Sequence, residues 1–449
     1  MVANSHENKI MINHFNISIG AITATFLLLF YFPVPSVGNT AIFLFGLYAF
    51  LSAFNIKFRK ALGDILNEKY VLRILFGYVF VIVLGFLYVL GHGTYEFSIL
   101  RANFLTLFIV ATGFLLYTFI NKDVDLKDRE RLILKLFIIV FLIQSIIQTA
   151  AFIFPAVKSF VNTFQKEDVA EKDYGGIRAL ALTGNPFFAL ASGYGLVFIF
   201  FIRYIIISKE YFSLKNSLYF ILLFVGSFYA GRTAFIGVLF AIFYLVLSQG
   251  KRFRKIYEFL KLLCLTGVFT TLIYLFFLPT AVRDIVDNKL LPFAFELYYN
   301  YNETGSFSTS STDALKEMYF PVRYETFLFG DAMFVDINGS YYMHTDAGYM
   351  RYLLFYGVFG SIFILLYTYF LYFKIPMGLI TRNIRKKNGE RFTDDLFFFL
   401  LVFAYLLTLH YKGVALLGTP LVQVMVIWVG ISYVQSLKHV EDSSFRNIS

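Results

Sequence analysis

Three arginines, Arg178, Arg232 and Arg351, are the residues best suited to chemistry in this chain. A guanidinium offers a bidentate fork to a phosphate or carboxylate, and it stays charged when partly desolvated. Arg232 says most. As Gly231-Arg232-Thr233 it interrupts a run from Ser217 to Ser248 that holds no other charge. An arginine at bilayer depth costs roughly 2.5–3.5 kcal/mol on insertion scales, so it is normally kept where it faces a cavity or an anion. The competing account of all three is an interfacial side chain that snorkels to water, or an internal salt bridge.

His344 and Asp346 precede Arg351 closely. If a helix has begun by His344, then His344 and Arg351 lie about two turns apart on one side of it. A histidine or a carboxylate beside a cationic pocket can act as general base on a hydroxyl. The bland alternative is Asp346 as a helix cap and His344 as a surface residue. His92, between two glycines, reads as a loop histidine, and His410 with Lys412 as an interfacial marker. Asp123-Val124-Asp125 has the D-x-D form that binds divalent metal in sugar transferases, but it sits in a short, strongly basic loop. There is no P-loop, H-E-x-x-H, G-x-S-x-G or cysteine cluster, so the common ATPase, zinc-protease and hydrolase readings fall away.

The elements that must hold these residues are membrane helices. The chain is 58% hydrophobic and 15% charged, which is the composition of an all-α polytopic membrane protein. A formal charge of +10 would suit nucleic acid, but the excess sits in short loops between apolar runs, where it orients a membrane protein. The single Cys264 rules out an internal disulfide. Tyrosines near the ends of many apolar runs read as an interfacial belt.

About twelve spans are expected, near 15–33, 38–56, 74–92, 102–120, 136–155, 187–207, 217–230, 233–248, 259–279, 347–373, 395–411 and 414–436. The whole chain, 1–449, then forms one integral membrane domain. Both flanks of the Arg232 run are basic, so the chain should leave the cytoplasm and return, placing Arg232 below the outer surface. Most of the 39 Lys and Arg fall in alternate connections, which puts both termini in the cytoplasm. The largest outer loop, 280–346, is rich in Tyr, Ser and Asn. Ser310-Ser311-Thr312-Asp313 has capping-box spacing, so a helix should start there.

Over about residues 170–375 the chain resembles bacterial O-antigen and capsule repeat-unit polymerases, in the superfamily that includes the O-antigen ligases. The resemblance rests on Arg178-Ala-Leu-Ala-Leu-Thr-Gly-Asn-Pro186, on Gly231-Arg-Thr-Ala-Phe235, and on Phe329-Gly-Asp331 followed by Asp346-Ala-Gly-Tyr-Met-Arg-Tyr-Leu-Leu-Phe-Tyr-Gly357. It implies a GT-C-like, metal-independent glycosyltransferase of the bacterial inner membrane, with no cofactor. Such an enzyme joins undecaprenyl-diphosphate-linked oligosaccharides at the periplasmic face, with a chain-length regulator and a flippase as protein partners. By position, Arg178 and Arg232 would match the family's outer-face arginines. His344 or Asp346 would fall where the ligases carry a functional histidine. The chain has Asp-x-Gly-Tyr-x-Arg there and lacks the His-x-His of many ligases, which favours a polymerase. On that reading Arg232 and Arg351 hold the diphosphate, Arg178 holds the second lipid or the glycan, and His344 or Asp346 takes the acceptor proton. An O-antigen ligase and a flippase for the same lipid remain the alternatives.

Overall fold

The computed structural model of the protein describes residues 17–34, 38–165, 180–209, 213–248, 252–386 and 389–446. Its first helices are α1 (Ile19–Phe30), α2 (Thr40–Phe54), α3 (Ile56–Leu66), α4 (Lys69–His92), α5 (Ser98–Asn121), α6 (Arg129–Ile153) and α7 (Pro155–Asn162). Then come α8 (Phe188–Ser208), α9 (Leu214–Ala230), α10 (Thr233–Leu247) and α11 (Arg252–Leu272). The stretch that follows carries five short helices: α12 (Thr280–Ile285), α13 (Leu291–Ala294), α14 (Glu296–Thr304), α15 (Ser310–Glu317) and α16 (Tyr324–Phe329). The chain closes with α17 (Gly348–Tyr372), α18 (Lys374–Lys386), α19 (Gly389–Lys412) and α20 (Pro420–Arg446). The one two-stranded ladder among the described residues pairs Pro33–Val34 with Gly38–Asn39.

Local sequence sets these boundaries. Ser18, Asn39, Asn55 and Ser213 cap α1, α2, α3 and α9 with side-chain oxygens that accept backbone N–H bonds. Asn55 is extended as well as capping, and there the chain turns by 113° between α2 and α3. The 280–346 stretch is largely helical, as expected. Its α15 starts one residue earlier than the Ser310 spacing suggested: Thr309 is the cap, and it forms the reciprocal capping box with Thr312.

Eight helices among the described residues are long and apolar enough to cross a membrane, and the bent pair α2–α3 would make a ninth. The protein is thus an all-α, multi-pass membrane protein. Eight is fewer than the expected twelve, and the difference lies in short helices. α1, α9 and α10 are apolar but have only 12, 17 and 15 residues, and α2 has 15. For α9 and α10 the cause is the break at Gly231-Arg232, which divides one apolar run between two helices.

α8 and the apolar part of α20 form the centre, with about nine-tenths of their residues buried inside the protein, whereas α11 is largely peripheral. Tyrosine departs from the expected belt. Tyr70, Tyr78, Tyr117, Tyr194, Tyr244, Tyr356, Tyr372, Tyr405 and Tyr433 are fully buried or nearly so. Most of their hydroxyls fasten helices together: Tyr70 donates to the Tyr372 carbonyl (2.9 Å), Tyr405 to that of Ser192 (2.9 Å), and Tyr194 to the Gln148 amide oxygen (2.6 Å). A hydroxyl inside hydrocarbon needs a partner, and the neighbouring helix supplies it.

Candidate functional site

Arg232 sits at the junction of α9 and α10, at the end of the bundle that carries the long 278–347 stretch. Its guanidinium is already engaged. Nη1 donates to the Glu296 carboxylate and to the Phe293 carbonyl (3.5 Å), and Cζ lies 4.5 Å from the Phe293 ring centroid. Both charged side chains are mostly covered, 18% and 19% exposed. The other oxygen of Glu296 accepts the Ser310 N–H at 2.7 Å, at the first turn of α15. Burial pushes this carboxyl up. The hydrogen bonds from Ser310 and Arg232 outweigh that and hold it below the ordinary carboxylate range. Arg232 therefore does face an anion, as its place in an apolar run suggested, and that anion belongs to the protein's own 278–347 stretch.

Arg351 lies one turn into α17 and is 8% exposed. Its guanidinium carbon is 3.4 Å from the Phe334 ring centroid and 4.2 Å from that of Tyr341. Nη2 donates to the Phe334 carbonyl at 2.9 Å, while Nε, though buried, has no hydrogen-bond partner. Two aromatic faces hold the planar cation, an arrangement lysine could not reproduce. Glu96, on the connection between α4 and α5, accepts the Phe334 N–H at 2.9 Å and so steadies this box from the other side.

What sets Phe334 in place is a break in α17. Gly357 has φ 66° and ψ −179°, and Gly330 has φ 76° and ψ 176°, a backbone region essentially reserved for glycine. A Cβ on Gly357 would collide with the Leu328 carbonyl, and one on Gly330 with the Phe355 carbonyl. Gly357 turns the helix aside. The Leu354 and Phe355 carbonyls then accept N–H bonds from Asp331 (2.6 Å) and Ala332 (3.3 Å). The Asp331 carboxylate in turn accepts the hydroxyls of Thr326 (2.8 Å) and Tyr342 (3.1 Å). Phe329-Gly-Asp331 and Gly357, the two separated parts of one sequence resemblance, are a plug and its socket.

His344 and Asp346 do not share a helical face with Arg351, because α17 begins only at Gly348. His344 is exposed, in a tight turn with φ 57°, next to Met343 at φ 52°. Asp346 is half-buried, and it is no cap: Ala347 occupies that position without a side-chain bond. Burial pushes the Asp346 carboxyl up, and the positive charges of Lys412 and Arg351 pull it back only in part. Lys412 also donates to the Ser311 hydroxyl at 3.2 Å. Thus α15 touches Glu296, the partner of Arg232, through Ser310, and Lys412, the neighbour of Asp346, through Ser311. One short helix links the two arginine sites.

His410 is not interfacial but fully buried. Its Nδ1 accepts the N–H of Ala415 (3.3 Å) and of Leu416 (3.4 Å), and the rings of Tyr349 and Tyr352 pack on it. Arg178 lies outside the described residues. The described part of its motif, residues 180–186, folds onto the end of α1, where the Phe30 carbonyl accepts the Gly184 N–H (2.9 Å) and the Thr183 hydroxyl (3.2 Å).

Sequence reasoning missed two charged groupings. Glu296 gave no signal, since nothing in a Tyr- and Asn-rich stretch marks one acid as the partner of an arginine 64 residues away. Arg203 read only as a basic flank. It is 3% exposed, donates to Glu130 (2.9 Å) and Tyr244 (3.1 Å), and pairs with Asp395 (2.6 Å), which accepts the Tyr433 hydroxyl (2.7 Å). This clamp draws five helices together at the far end of the bundle. No protein-family model matches the chain, and neither does any curated protein or solved structure.

Proposed function

We propose that the protein is a membrane glycosyltransferase that joins lipid-diphosphate-linked oligosaccharide repeat units at the outer face of a bacterial inner membrane. The observation that carries this reading is the gathering of Arg232, Arg351, Lys412 and Asp346 at one end of the bundle, coupled by α15. On this reading α1, α2, α9 and α10 also cross the bilayer, which gives twelve spans with both termini cytoplasmic.

A lipid diphosphate must be held where its headgroup meets the bilayer surface, and cations partly shielded from water serve that purpose. The acceptor hydroxyl attacks the anomeric carbon while the bond from that carbon to the diphosphate oxygen breaks. The bonding pair leaves with the diphosphate, and guanidinium charge stabilises it. The acceptor proton goes to a base. Geometry favours Asp346 over His344: it is half-buried, holds no helix cap, and has a carboxyl shifted toward the range useful to a base. Because Glu296 occupies Arg232, the incoming diphosphate must take the place of that carboxylate. It can do so because it brings more negative charge and more acceptor oxygens.

The test is replacement of Arg232 by Ala in the native host, with protein level checked and surface glycan resolved by size. Long chains should vanish and single repeat units persist on the acceptor. Glycan wholly absent from the acceptor would indicate a ligase. Normal chain lengths would remove Arg232 from the mechanism.

A further inference from the structure

A cavity of about 390 Å³ lies at the opposite end of the bundle, walled by the α3–α4 corner, the end of α5, the start of α6 and the far part of α20. Its charges are sorted by sign. Asp64 and Glu68 stand on the α3–α4 corner; Lys122 and Arg129 stand on the connection from α5 to α6. Arg129 is held in place, donating through Nε to the Val124 carbonyl (3.1 Å) and through Nη1 to Gln435 (2.7 Å). Asn121 also lines the cavity and is 1% exposed. Its amide nitrogen donates to the Tyr117 carbonyl (3.0 Å), but its Oδ1 has no partner. A buried acceptor left unmatched at a cavity wall calls for a donor from outside the chain.

We infer that this cavity binds a zwitterion carrying a phosphate ester and a primary ammonium. The phosphate faces Lys122 and Arg129, and the ammonium faces Asp64, Glu68 and the Asn121 oxygen. An anionic headgroup would set its charge against the two acids. A quaternary ammonium has no N–H for Asn121, and it favours aromatic cages, whereas none of the described residues that line this wall is aromatic. α3 bends away from α2 with Lys57, Arg59 and Lys60 along it, as a helix lying at a membrane surface does. The same chemistry could come from a lipid headgroup or from a soluble aminoethyl phosphate.

The experiment uses the full chain, purified and stripped of lipid, then equilibrated with equal amounts of phosphatidylethanolamine, phosphatidylcholine and phosphatidylglycerol of matched acyl chains. Bound lipid is read by native mass spectrometry. The ethanolamine lipid should be retained about fivefold over the choline lipid, the scale of a single partly exposed ion pair. Asp64→Asn with Glu68→Gln should erase that preference. Asp64→Lys, at an exposed position, should turn the preference toward the glycerol lipid. Thermal unfolding checks that the variants fold. Added phosphoethanolamine that displaces bound lipid identifies a soluble source; failure to displace identifies the headgroup. Equal retention of the ethanolamine and choline lipids, or a preference that survives both acid substitutions, overturns the inference.

Discussion

Glu296→Gln separates the two roles open to the Arg232–Glu296 pair. If the carboxylate only keeps an anion site filled until substrate arrives, removing its charge should ease substrate entry. If the pair is a structural bolt, removing either partner should harm the protein equally. At contact distance two unit charges attract by about 1–4 kcal/mol for effective dielectric constants between water and a protein surface. Side chains 18% and 19% exposed are better shielded than a surface pair and less so than a buried one. A coupling of about 1–2 kcal/mol is therefore expected, between the usual surface and buried values. Released to the substrate, that corresponds to an apparent affinity roughly five- to thirtyfold tighter. The assay is polymer formation by reconstituted protein across a range of lipid-linked substrate concentrations, run beside unfolding measurements for the double-mutant cycle. Glu296→Gln should lower the half-saturating concentration and retain turnover, while Arg232→Ala abolishes long chains. A Glu296→Gln protein as inactive as Arg232→Ala, with equal losses of stability, would falsify the displacement argument.

Replacing Gly357 by Ala should destabilise the protein by about 2 kcal/mol or more, since that backbone region costs a side chain about 1–3 kcal/mol before its collision with Leu328 is counted; unfolding in detergent reads it. Arg203→Met strands Glu130 and Asp395 as buried acids and should cost about 3–5 kcal/mol. Adding Glu130→Gln and Asp395→Asn to it should recover most of the loss in the same measurement. The depressed Glu296 carboxyl stabilises the fold at pH values above its ordinary 4.5, and that contribution is lost as pH falls through the lower folded-state value. Proteolysis within 296–317 should therefore accelerate in acid, and Glu296→Gln should flatten that dependence.

The apolar periodicity made the helices legible, and the break at Gly231-Arg232 was visible because a lone guanidinium in a long apolar run has few physical explanations. The pairing of Phe329-Gly-Asp331 with Gly357 was visible only as two fragments, because nothing local says that one glycine's backbone must lie against another's. Glu296 and the Arg203 clamp were illegible for the same reason: each depends on contacts between residues 38 or more positions apart in the chain. His344 misled because helical spacing was extended back over residues that adopt left-handed turns. Asp346 kept its place among the candidates but lost its alternative role, since α17 starts without a side-chain cap.

The shortness of α9 and α10 bears on the lipid around them. With 17 and 15 residues they reach only about 23–26 Å, against a hydrocarbon thickness of about 30 Å. If both cross the bilayer, as the proposed twelve-span arrangement has it, acyl chains next to this pair compress or splay to meet them, so the membrane dimples locally and headgroups sink toward the helix junction. A long polyprenyl carrier, poorly ordered beside straight acyl chains, would find its easiest approach at such a dent.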